Sequence, residues 1–379
     1  MTVNEYIAAV HVHTTYSDGE FSHAQVAEAA MSAGLDCVLV SDHNVWVKGP
    51  ERYYSNKDRK TLLLVGEEAH DATRQPQKSH LLIFGAQTEL VGLAAHPQAL
   101  INAARQSGAL TFLAHPYETA APVVDEPDIS WADWEVEDFT GLEIWNYMSE
   151  FKGLLTSRAN TVRYALNPEV GIMGPPPPTL AKWDELTLDG KKVVAIGGAD
   201  AHGTTYHMSG LKRVIFPYEF LFHQVTTHLL SEAPLTGACE ADRAVVLGAL
   251  AKGHCFVGYD GIAPTRGFRF TGNSDLGNLL MGDETLNRGG VTLQIAVPTT
   301  PGLPQRSASA ARSATRPDGV KVSTHLIRNG RELAQWKNQT NITTVVPPGE
   351  AGVFRVEVRL RYQGRQRGWI YSNPIYLRV

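Results

Sequence analysis

The 379-residue chain has few cysteines, no long apolar run and no excess of basic residues. Its cysteines, Cys37, Cys239 and Cys255, lie far apart without a C-x-x-C pair, so we expect reduced thiols in a cytoplasmic protein. No run of about 20 apolar residues exists that could span a membrane. A formal net charge of -5 argues against general binding to nucleic acid or to membrane surfaces. Residues 1–6 lack the basic and apolar regions of a signal peptide, and none is expected.

The hydrophobic pattern predicts an α/β protein. Short apolar runs that end in polar clusters are typical of buried parallel strands, and they cover residues 7–12, 37–41, 62–65, 81–84, 110–114, 142–145 and 193–196. Helical segments lie between several of these runs. In the first, Ser22 and Gln25 form a capping box and Gly34 ends the helix. This repetition predicts a (β/α)7 barrel over residues 1–262 rather than an open sheet.

The pattern changes after about Gly261. Short β-segments with turns between them follow, and Asn329-Gly330 is a hairpin signal. We therefore predict a small all-β domain over residues 263–379. A flexible insert near residues 298–319 is rich in Pro, Ser, Ala and Arg. The domain could pack on the barrel, recognise a partner or set the oligomeric state, and the sequence does not choose between these roles.

Histidines and carboxylates gather at the predicted strand ends. His11 and His13 leave the first strand, and residues i and i+2 of a strand share a face, so their imidazoles suit chelation of one cation. The remaining candidates lie beside this strand or its neighbours: Asp18, Asp42, His43, Glu67, Glu68, His80, His115, Asp200 and His202. Mixed imidazole and carboxylate ligands suit Mn, Fe or Zn in a multinuclear site. Glu68 or Asp200 is a plausible bridge between two cations.

The order of these motifs resembles the polymerase and histidinol phosphatase (PHP) superfamily. The motifs are His-x-His-x4-Asp-Gly, Asp-His-Asn, Gly-x-Glu, a His that opens a strand, Ala-His-Pro and Asp-x-His, over about residues 7–203. Residues 41–44, 66–68, 80–82 and 372–375 resemble its carbaryl hydrolase-like branch. The resemblance implies a distorted PHP-type barrel that holds two or three divalent metal ions at the C-terminal ends of its strands.

Carried over residue by residue, the resemblance implies three metal sites. Three ligand sets result: His11, His13, Glu68 and Asp200 for the first ion, Glu68, His80 and His115 for the second, and Asp18, His43 and His202 for the third. The family's Gly-x-Glu spacing selects Glu68 over Glu67. Asp42 is expected to orient an imidazole. Asp200, His202 and His43 are the catalytic candidates, as general acid or base where they are free of metal.

Other residues beside the strand ends have two interpretations each. Glu143 and Asn146 either line the pocket or are structural. His70 is predicted to be an ordinary residue, with a substrate contact as the alternative. Lys152 could meet an anionic substrate, although most such charges are simply solvated.

These predictions lead to a metal-dependent hydrolase. The resemblance favours a phosphoesterase that acts on a small anionic phosphate ester by means of a metal-activated water. One alternative is a carboxylic ester or carbamate hydrolase with the same metal site, and another is a non-catalytic metal-binding module. A converging Arg/Lys cluster would favour phosphate, whereas an apolar wall with few basic residues would favour the ester. Neither nucleic acid nor a membrane is expected as a partner, and the oligomeric state is not indicated.

Overall fold

The computed structural model describes residues 3–208, 211–214, 216–299 and 322–379. Twelve strands precede residue 262: β1 (Asn4–Val10), β2 (Cys37–Val40), β3 (Arg52–Ser55), β4 (Lys60–Ala69), β5 (Leu81–Phe84), β6 (Leu110–Leu113), β7 (Gly141–Asn146), β8 (Val194–Gly198), β9 (Thr205–Met208), β10 (Leu211–Val214), β11 (Val225–Ser231) and β12 (Cys255–Tyr259). Between them lie seven helices: α1 (His23–Ala33), α2 (Pro97–Gln106), α3 (Tyr147–Gly153), α4 (Arg158–Leu166), α5 (Pro177–Leu188), α6 (Tyr218–Leu221) and α7 (Cys239–Lys252). In the described part of the chain, no helix is both long and apolar enough to cross a membrane.

In the described residues after Ile262, the regular secondary structure consists of β-strands. They are β13 (Arg269–Ser274), β14 (Gly277–Leu280), β15 (Glu284–Leu286), β16 (Val291–Ala296), β17 (Val322–Arg328), β18 (Arg331–Lys337), β19 (Asn341–Val346), β20 (Gly352–Tyr362), β21 (Arg365–Ser372) and β22 (Ile375–Arg378). This content agrees with the predicted all-β segment over residues 263–379, whose boundary stays a prediction. Most of the predicted insert near residues 298–319 lies outside the described residues.

A sheet of 16 strands organises the molecule. Its main path is β15-β22-β20-β21-β12-β11-β1-β2-β4-β5-β6-β7-β8, with β3 beside β4 and with β17 and β18 beyond β20. The pairs β1–β2, β2–β4, β6–β7 and β7–β8 are parallel. The pairs β1–β11, β4–β5 and β5–β6 are antiparallel. The mixed α/β class is therefore confirmed.

The predicted closed (β/α)7 barrel is not confirmed. The ladder ends at β8, and in the described residues a single parallel bridge, Val12 with Ala201, links the segments that follow β1 and β8. Antiparallel pairs at β5 and β11 interrupt the parallel repeat. Between β4 and β5 the chain reverses without a crossover helix. All seven predicted strands form, and the prediction missed β3 and β9 to β12.

The last residues of β1 and all of β2 are apolar without interruption because both of their faces are buried. Ala8, Val10 and Leu39 pack into one hydrophobic core, whereas Ala9 and Val38 pack into another. Alternate residues of a strand point to opposite faces, so a strand between two cores loses the usual polar alternation. Full burial of each Val or Leu contributes about 1.5–3 kcal/mol to folding. Packing against the two cores therefore determines where β1 and β2 end.

Helix α1 follows its predicted boundaries. The backbone and hydroxyl of Ser22 both hydrogen-bond to the side chain of Gln25, which completes the capping box. Gly34 ends the helix in the left-handed conformation, at φ 80°, where glycine has no steric penalty. The apolar stripe that includes Val26 and Ala30 is fully buried. The helix thereby covers the sheet behind the loop that carries the first candidate ligands.

The C-terminal strands continue the sheet of the preceding residues. Strand β21 pairs antiparallel with β12, so Ser372 lies opposite Phe256. The Asn373 side chain then accepts a hydrogen bond from the amide of Ala195 (2.7 Å) and donates to the carbonyls of Ala195 (2.9 Å) and Cys255 (2.8 Å). The strands β14, β13, β16 and β19 form a separate antiparallel sheet. The C-terminal segment is therefore bonded directly to β8 and β12.

Candidate metal centre

The first predicted ligand set converges on one point. His11 Nε2 lies 3.1 Å from Glu68 Oε2 and 3.3 Å from Asp200 Oδ1, and His13 Nε2 lies 3.2 Å and 3.1 Å from the same two oxygens. Two ligand atoms that bind the same ion, each at about 2.1 Å, lie about 3.0–3.4 Å from each other, depending on the coordination angle. All four atoms are buried without a hydrogen-bond partner. This donor set therefore fits a divalent cation.

The second set shares Glu68 with the first. Glu68 Oε1 lies 2.9 Å from His80 Nδ1 and 3.1 Å from His115 Nε2, while its other oxygen belongs to the first set. The neighbouring Glu67 points to the opposite side of β4, where its carboxylate accepts a hydrogen bond from the amide of Leu90 (3.1 Å). Burial raises the pKa of Glu67 to about 7. Strand alternation thus places Glu68 in the cluster, as expected, and excludes Glu67.

The third set lies at the solvent side of the cluster. Asp18 Oδ1 is 3.2 Å from His202 Nε2, and Asp18 Oδ2 is 3.7 Å from His43 Nε2. His13 Nδ1 approaches Asp18 Oδ1 to 3.6 Å, so this set adjoins the first. The Asp18 side chain is 55% exposed, whereas that of Glu68 is fully buried. The structure thus brings all nine predicted ligands together, and a substrate would meet the third set first.

Left-handed backbone conformations mark three of these ligands. His11 has φ 65°, His115 has φ 27° and Asp200 has φ 55°. Each follows the end of its strand by one or two residues. Such conformations cost about 1–3 kcal/mol for residues other than glycine and persist where the surroundings hold them. Here the amide of Ala201 donates to the carbonyl of His11 (3.2 Å), and that of His13 donates to the carbonyl of Ala201 (2.9 Å). The resulting turns direct the side chains into the cluster.

Glu143 and Asn146 orient the ligands of the first set. Glu143 Oε1 lies 2.9 Å from His11 Nδ1. A carboxylate accepts, so Nδ1 carries the hydrogen and Nε2 is left as a metal ligand. Asn146 Nδ2 donates to Glu143 Oε2 (3.0 Å) and to Asp200 Oδ2 (3.2 Å). Of the two interpretations of this pair, the structure favours an orienting role in the site.

Asp42 has a different role from the one expected. It accepts hydrogen bonds from the amide (2.6 Å) and hydroxyl (2.7 Å) of Thr14 and from the hydroxyl of Ser17 (2.8 Å). The nearest imidazole nitrogen facing Asp42 is His23 Nε2, at 3.9 Å. Among the described contacts, Asp42 makes no direct hydrogen bond to an imidazole, and it is connected to one through Ser17, whose hydroxyl lies 3.4 Å from His13 Nδ1. Its carboxylate instead holds the loop between His13 and Asp18, because two hydroxyls and an amide of that loop converge on it.

The prediction underestimated His70. Its ring stacks on that of His80, with ring centroids 4.2 Å apart and an angle of 10° between the ring planes. The ring of His43 lies edge-on to it, with a centroid separation of 5.1 Å. One ligand atom each from His43, His70 and His80 lie within 4.8 Å of one another. The signal was available, because His70 stands two residues after Glu68 and therefore leaves the strand on the same face.

The ion pair between Glu118 and Lys152 is a second feature that the prediction missed. Lys152 Nζ lies 2.7 Å from Glu118 Oε1 and donates to the carbonyl of Pro127 (2.6 Å). The Glu118 side chain is only 3% exposed and faces His115. The positive charge of Lys152 is therefore neutralised by a buried carboxylate rather than simply solvated. No local signal in the sequence indicates this pair, since its members lie on separate segments.

The carboxylates make the cluster electrostatically favourable for cations. Burial alone would lower the pKa of His202, but Asp200 and Asp18 raise it to about 9. Burial would likewise lower the pKa of His115, which Glu68 and Glu118 raise to about 9. In the other direction, burial opposes ionisation of Glu68, yet the surrounding histidines hold its pKa well below the usual range. These carboxylates favour positive charge at the imidazoles, as they would favour a bound divalent cation.

Fold and site together define a mixed α/β protein with a cluster of His, Asp and Glu side chains that could bind metal. No protein-family model and no curated protein sequence matches the chain. Among solved structures, it is similar to a two-domain protein from Bacteroides vulgatus that contains a predicted PHP-like metal-dependent phosphoesterase. The two share 14% identity and a TM-score of 0.42 over 98% of this chain and 95% of the other.

Two further solved structures match about half of this chain. A proposed metal-dependent phosphoesterase from Bifidobacterium adolescentis is 14% identical, with a TM-score of 0.31 over 52% of this chain and 87% of that one. An amidohydrolase from Chromobacterium violaceum, with bound sulfate and no metal, is 10% identical, with a TM-score of 0.27 over the same shares. TM-scores this low do not establish a common fold, so function rests on the residues of this chain.

Proposed function

We propose that the protein is a metal-dependent hydrolase, a PHP-type phosphoesterase that cleaves a small anionic phosphate ester. The position of Glu68 carries this proposal. One fully buried carboxylate directs Oε2 toward His11 and His13 and Oε1 toward His80 and His115. A carboxylate that faces two imidazole sets is suited to bridge two cations, because its negative charge reduces their mutual repulsion.

The proposed cofactors are two or three divalent ions of Mn, Fe or Zn in the three ligand sets. When bound, such ions activate water and stabilise the charge that develops on a reacting phosphoryl group. The chain's own residues hold the ligands in position: Glu143 orients His11, and Asn146 restrains Asp200. These contacts preorganise the site before any substrate arrives.

The catalytic candidates differ in their access to substrate. The side chains of His43 and His202 are 25% and 18% exposed, whereas those of His11 and His13 are fully buried. His202 Nδ1 lies 2.9 Å from the carbonyl oxygen of Asp200. A carbonyl accepts, so Nδ1 carries the hydrogen and Nε2 faces Asp18. His43 and His202 are thus placed to exchange a proton with a substrate where metal leaves them free, while Asp200 belongs to the first ligand set.

The cluster as a whole supports a phosphate ester. Adjacent groups of His, Asp and Glu side chains could present more than one cation to the several oxygens of a phosphoryl group. The third set is open to solvent on the side of Asp18, so a small ester can approach without a deep channel. We therefore propose a small-molecule substrate.

One observation favours a second candidate, a carboxylic ester or carbamate hydrolase with the same metal site. A phosphate site commonly adds basic side chains to its metal ions. Among the described residues, Lys152 is the basic side chain that ion pairs connect to this cluster, and Glu118 neutralises it at 2.7 Å. Because this lysine is already paired with a carboxylate, it offers no free positive charge to a phosphate, which makes a less charged ester a competitive candidate.

The test measures initial rates on paired aryl phosphate and aryl ester or carbamate substrates. Protein loaded with Mn, Fe or Zn is compared with Asp200→Asn and with Asp58→Asn, a control in an exposed loop. We expect phosphate turnover that requires both metal and Asp200 and that the control retains. Turnover of the ester or carbamate alone would make the phosphate proposal wrong. Stoichiometric metal without turnover of either substrate would indicate a non-catalytic module and contradict both hydrolase proposals.

A further inference from the structure

His115 has one ring nitrogen in the cluster and one without a partner. Its Nε2 lies 3.1 Å from Glu68 Oε1, whereas Nδ1, on the other side of the ring, is buried without a hydrogen bond. A neutral imidazole that binds metal through Nε2 carries its hydrogen on Nδ1. In that state His115 therefore has a buried N–H group that requires an acceptor.

Glu118 offers a carboxylate acceptor close to this nitrogen. Its Oε2 lies 4.0 Å from His115 Nδ1 and is likewise buried without a hydrogen bond. Its other oxygen is anchored by Lys152 Nζ at 2.7 Å. Lys152 in turn donates to the carbonyl of Pro127. The carboxylate is thus fixed on one side and lacks a partner only on the side that faces His115.

The same arrangement exists in completed form at His11. There, Glu143 Oε1 lies 2.9 Å from Nδ1, and Nε2 points into the first ligand set. His11 and His115 also share the left-handed backbone conformation. The two histidines therefore present Nε2 to the cluster and Nδ1 to a buried carboxylate, and they differ mainly in how close that carboxylate is.

We propose that Glu118 is a positioning residue for His115 and that it strengthens metal binding by the second ligand set. The 4.0 Å separation shortens by about 1 Å to reach hydrogen-bond length when His115 binds an ion. Lys152 holds the carboxylate in place and balances its charge. This inference rests on the metal sites of the proposed function, but it concerns their affinity rather than the reaction.

The decisive variant is Glu118→Gln. Lys152 would retain the amide oxygen, so the NH2 group would face the Nδ1–H of His115, and donor would oppose donor. Glu126→Gln is the matched control, because Glu126 is a second carboxylate near Lys152, at 4.0 Å, but its side chain is 57% exposed. Equilibrium titration with Mn²⁺ and Zn²⁺ against a competing chelator measures the affinity of each site. Thermal unfolding of the metal-free proteins measures the structural effect.

We expect one equivalent of metal to bind 10- to 100-fold more weakly in Glu118→Gln, the usual effect of removing a partner of a metal-bound histidine. The control should bind as the wild type does. Metal-free Glu118→Gln is expected to unfold at a lower temperature, because Lys152 loses its buried carboxylate partner, so the affinities are compared at a temperature at which every variant is folded. Unchanged affinity in Glu118→Gln, or an equal loss in the control, would overturn the proposal. So would a variant that loses metal-free stability while its affinity is unchanged.

A second variant covers the case in which Glu118→Gln does not fold. Glu118→Asp keeps the charge opposite Lys152 but withdraws the carboxylate by one methylene, about 1.5 Å. The same weakening of one site is expected, and wild-type affinity would overturn the proposal. A wild-type protein that binds no metal would refute the proposed function as well. Normal metal binding by the wild type and by both Glu118 variants would refute the role of Glu118 alone.

Discussion

We expect the fold to lose stability between about pH 6.5 and pH 9 because of one buried histidine outside the metal centre. His228 is fully buried, with Nδ1 2.7 Å from Glu5 Oε1 and Nε2 2.9 Å from Asp260 Oδ2. Burial alone would lower its pKa, but the two carboxylates raise it to about 9. A raised pKa in the folded state means that the stabilisation is complete below the unfolded value of about 6.5 and is lost as the pH rises through 9.

The size of the effect follows from that shift. A pKa of about 9 in place of 6.5 corresponds to about 3 kcal/mol of stability at low pH. The lowered pKa of Asp260, about 2, reflects the same ion pair and is not an additional contribution. His228→Gln leaves the Asp260 carboxylate without its cation, whereas Glu5 keeps its ion pair with Arg269 (2.6 Å). Removing one partner of a buried ion pair costs about 3–5 kcal/mol.

Urea unfolding of the wild type and of His228→Gln at pH 6.5 and pH 9.5 measures this difference. Both proteins are kept in chelator, so that protonation of the metal ligands changes the free energy of unfolding of both proteins equally. The variant should be about 3–5 kcal/mol less stable at pH 6.5, and the gap should narrow by about 3 kcal/mol at pH 9.5. His254→Gln, at a partly exposed pair with Asp283, is the control. A gap that is the same at both pH values would refute the reasoning.

Removal of metal should lower the midpoint of thermal unfolding, because an ion at 100 times its Kd adds about 2.7 kcal/mol to the free energy of unfolding. Calorimetry with and without chelator measures this midpoint. An unchanged midpoint would contradict the metal centre. Glu68→Gln should weaken two sites at once, whereas Glu67→Gln should leave both intact, as elemental analysis can show. In the folded protein, a thiol reagent should modify Cys239 before Cys37 or Cys255, which are buried; mass spectrometry after labelling would refute this prediction if all three reacted equally fast.

The candidate ligands could be predicted because they depend on local geometry. A strand end fixes where the next side chains point, so His11 and His13, or Asp200 and His202, indicate a shared site from sequence spacing alone. The same rule would also have placed His70 beside the cluster, since it follows Glu68 by two residues.

Strand direction could not be predicted in this way. The run Leu81–Phe84 is apolar throughout, and a fully buried strand has the same sequence pattern whether its neighbours are parallel or antiparallel. The direction here depends on the connection between β4 and β5, which reverses the chain without a helix. The strands next to β5 are therefore antiparallel where a parallel repeat was expected, and the sheet does not close into the expected barrel.

Contacts between distant segments were also beyond prediction. Glu118 follows β6, and Lys152 belongs to helix α3, 34 residues later. The pairing of β6 with β7 in the sheet brings the two segments together. Asp42 shows the same limit: its position beside His43 suggested an imidazole partner, but the folded loop brings Thr14 and Ser17 to it instead.

The hydrogen bonds of Asn373 have a consequence for how the protein can be divided. A fragment that ends near residue 262 would contain every candidate metal ligand, yet it would expose the edge of β12 that β21 covers and would leave Ala195 and Cys255 without their bonds to Asn373. An unprotected edge favours pairing with other chains. The segment that contributes none of the candidate ligands thus covers the edge of β12 and ties β8 to β12 through Asn373.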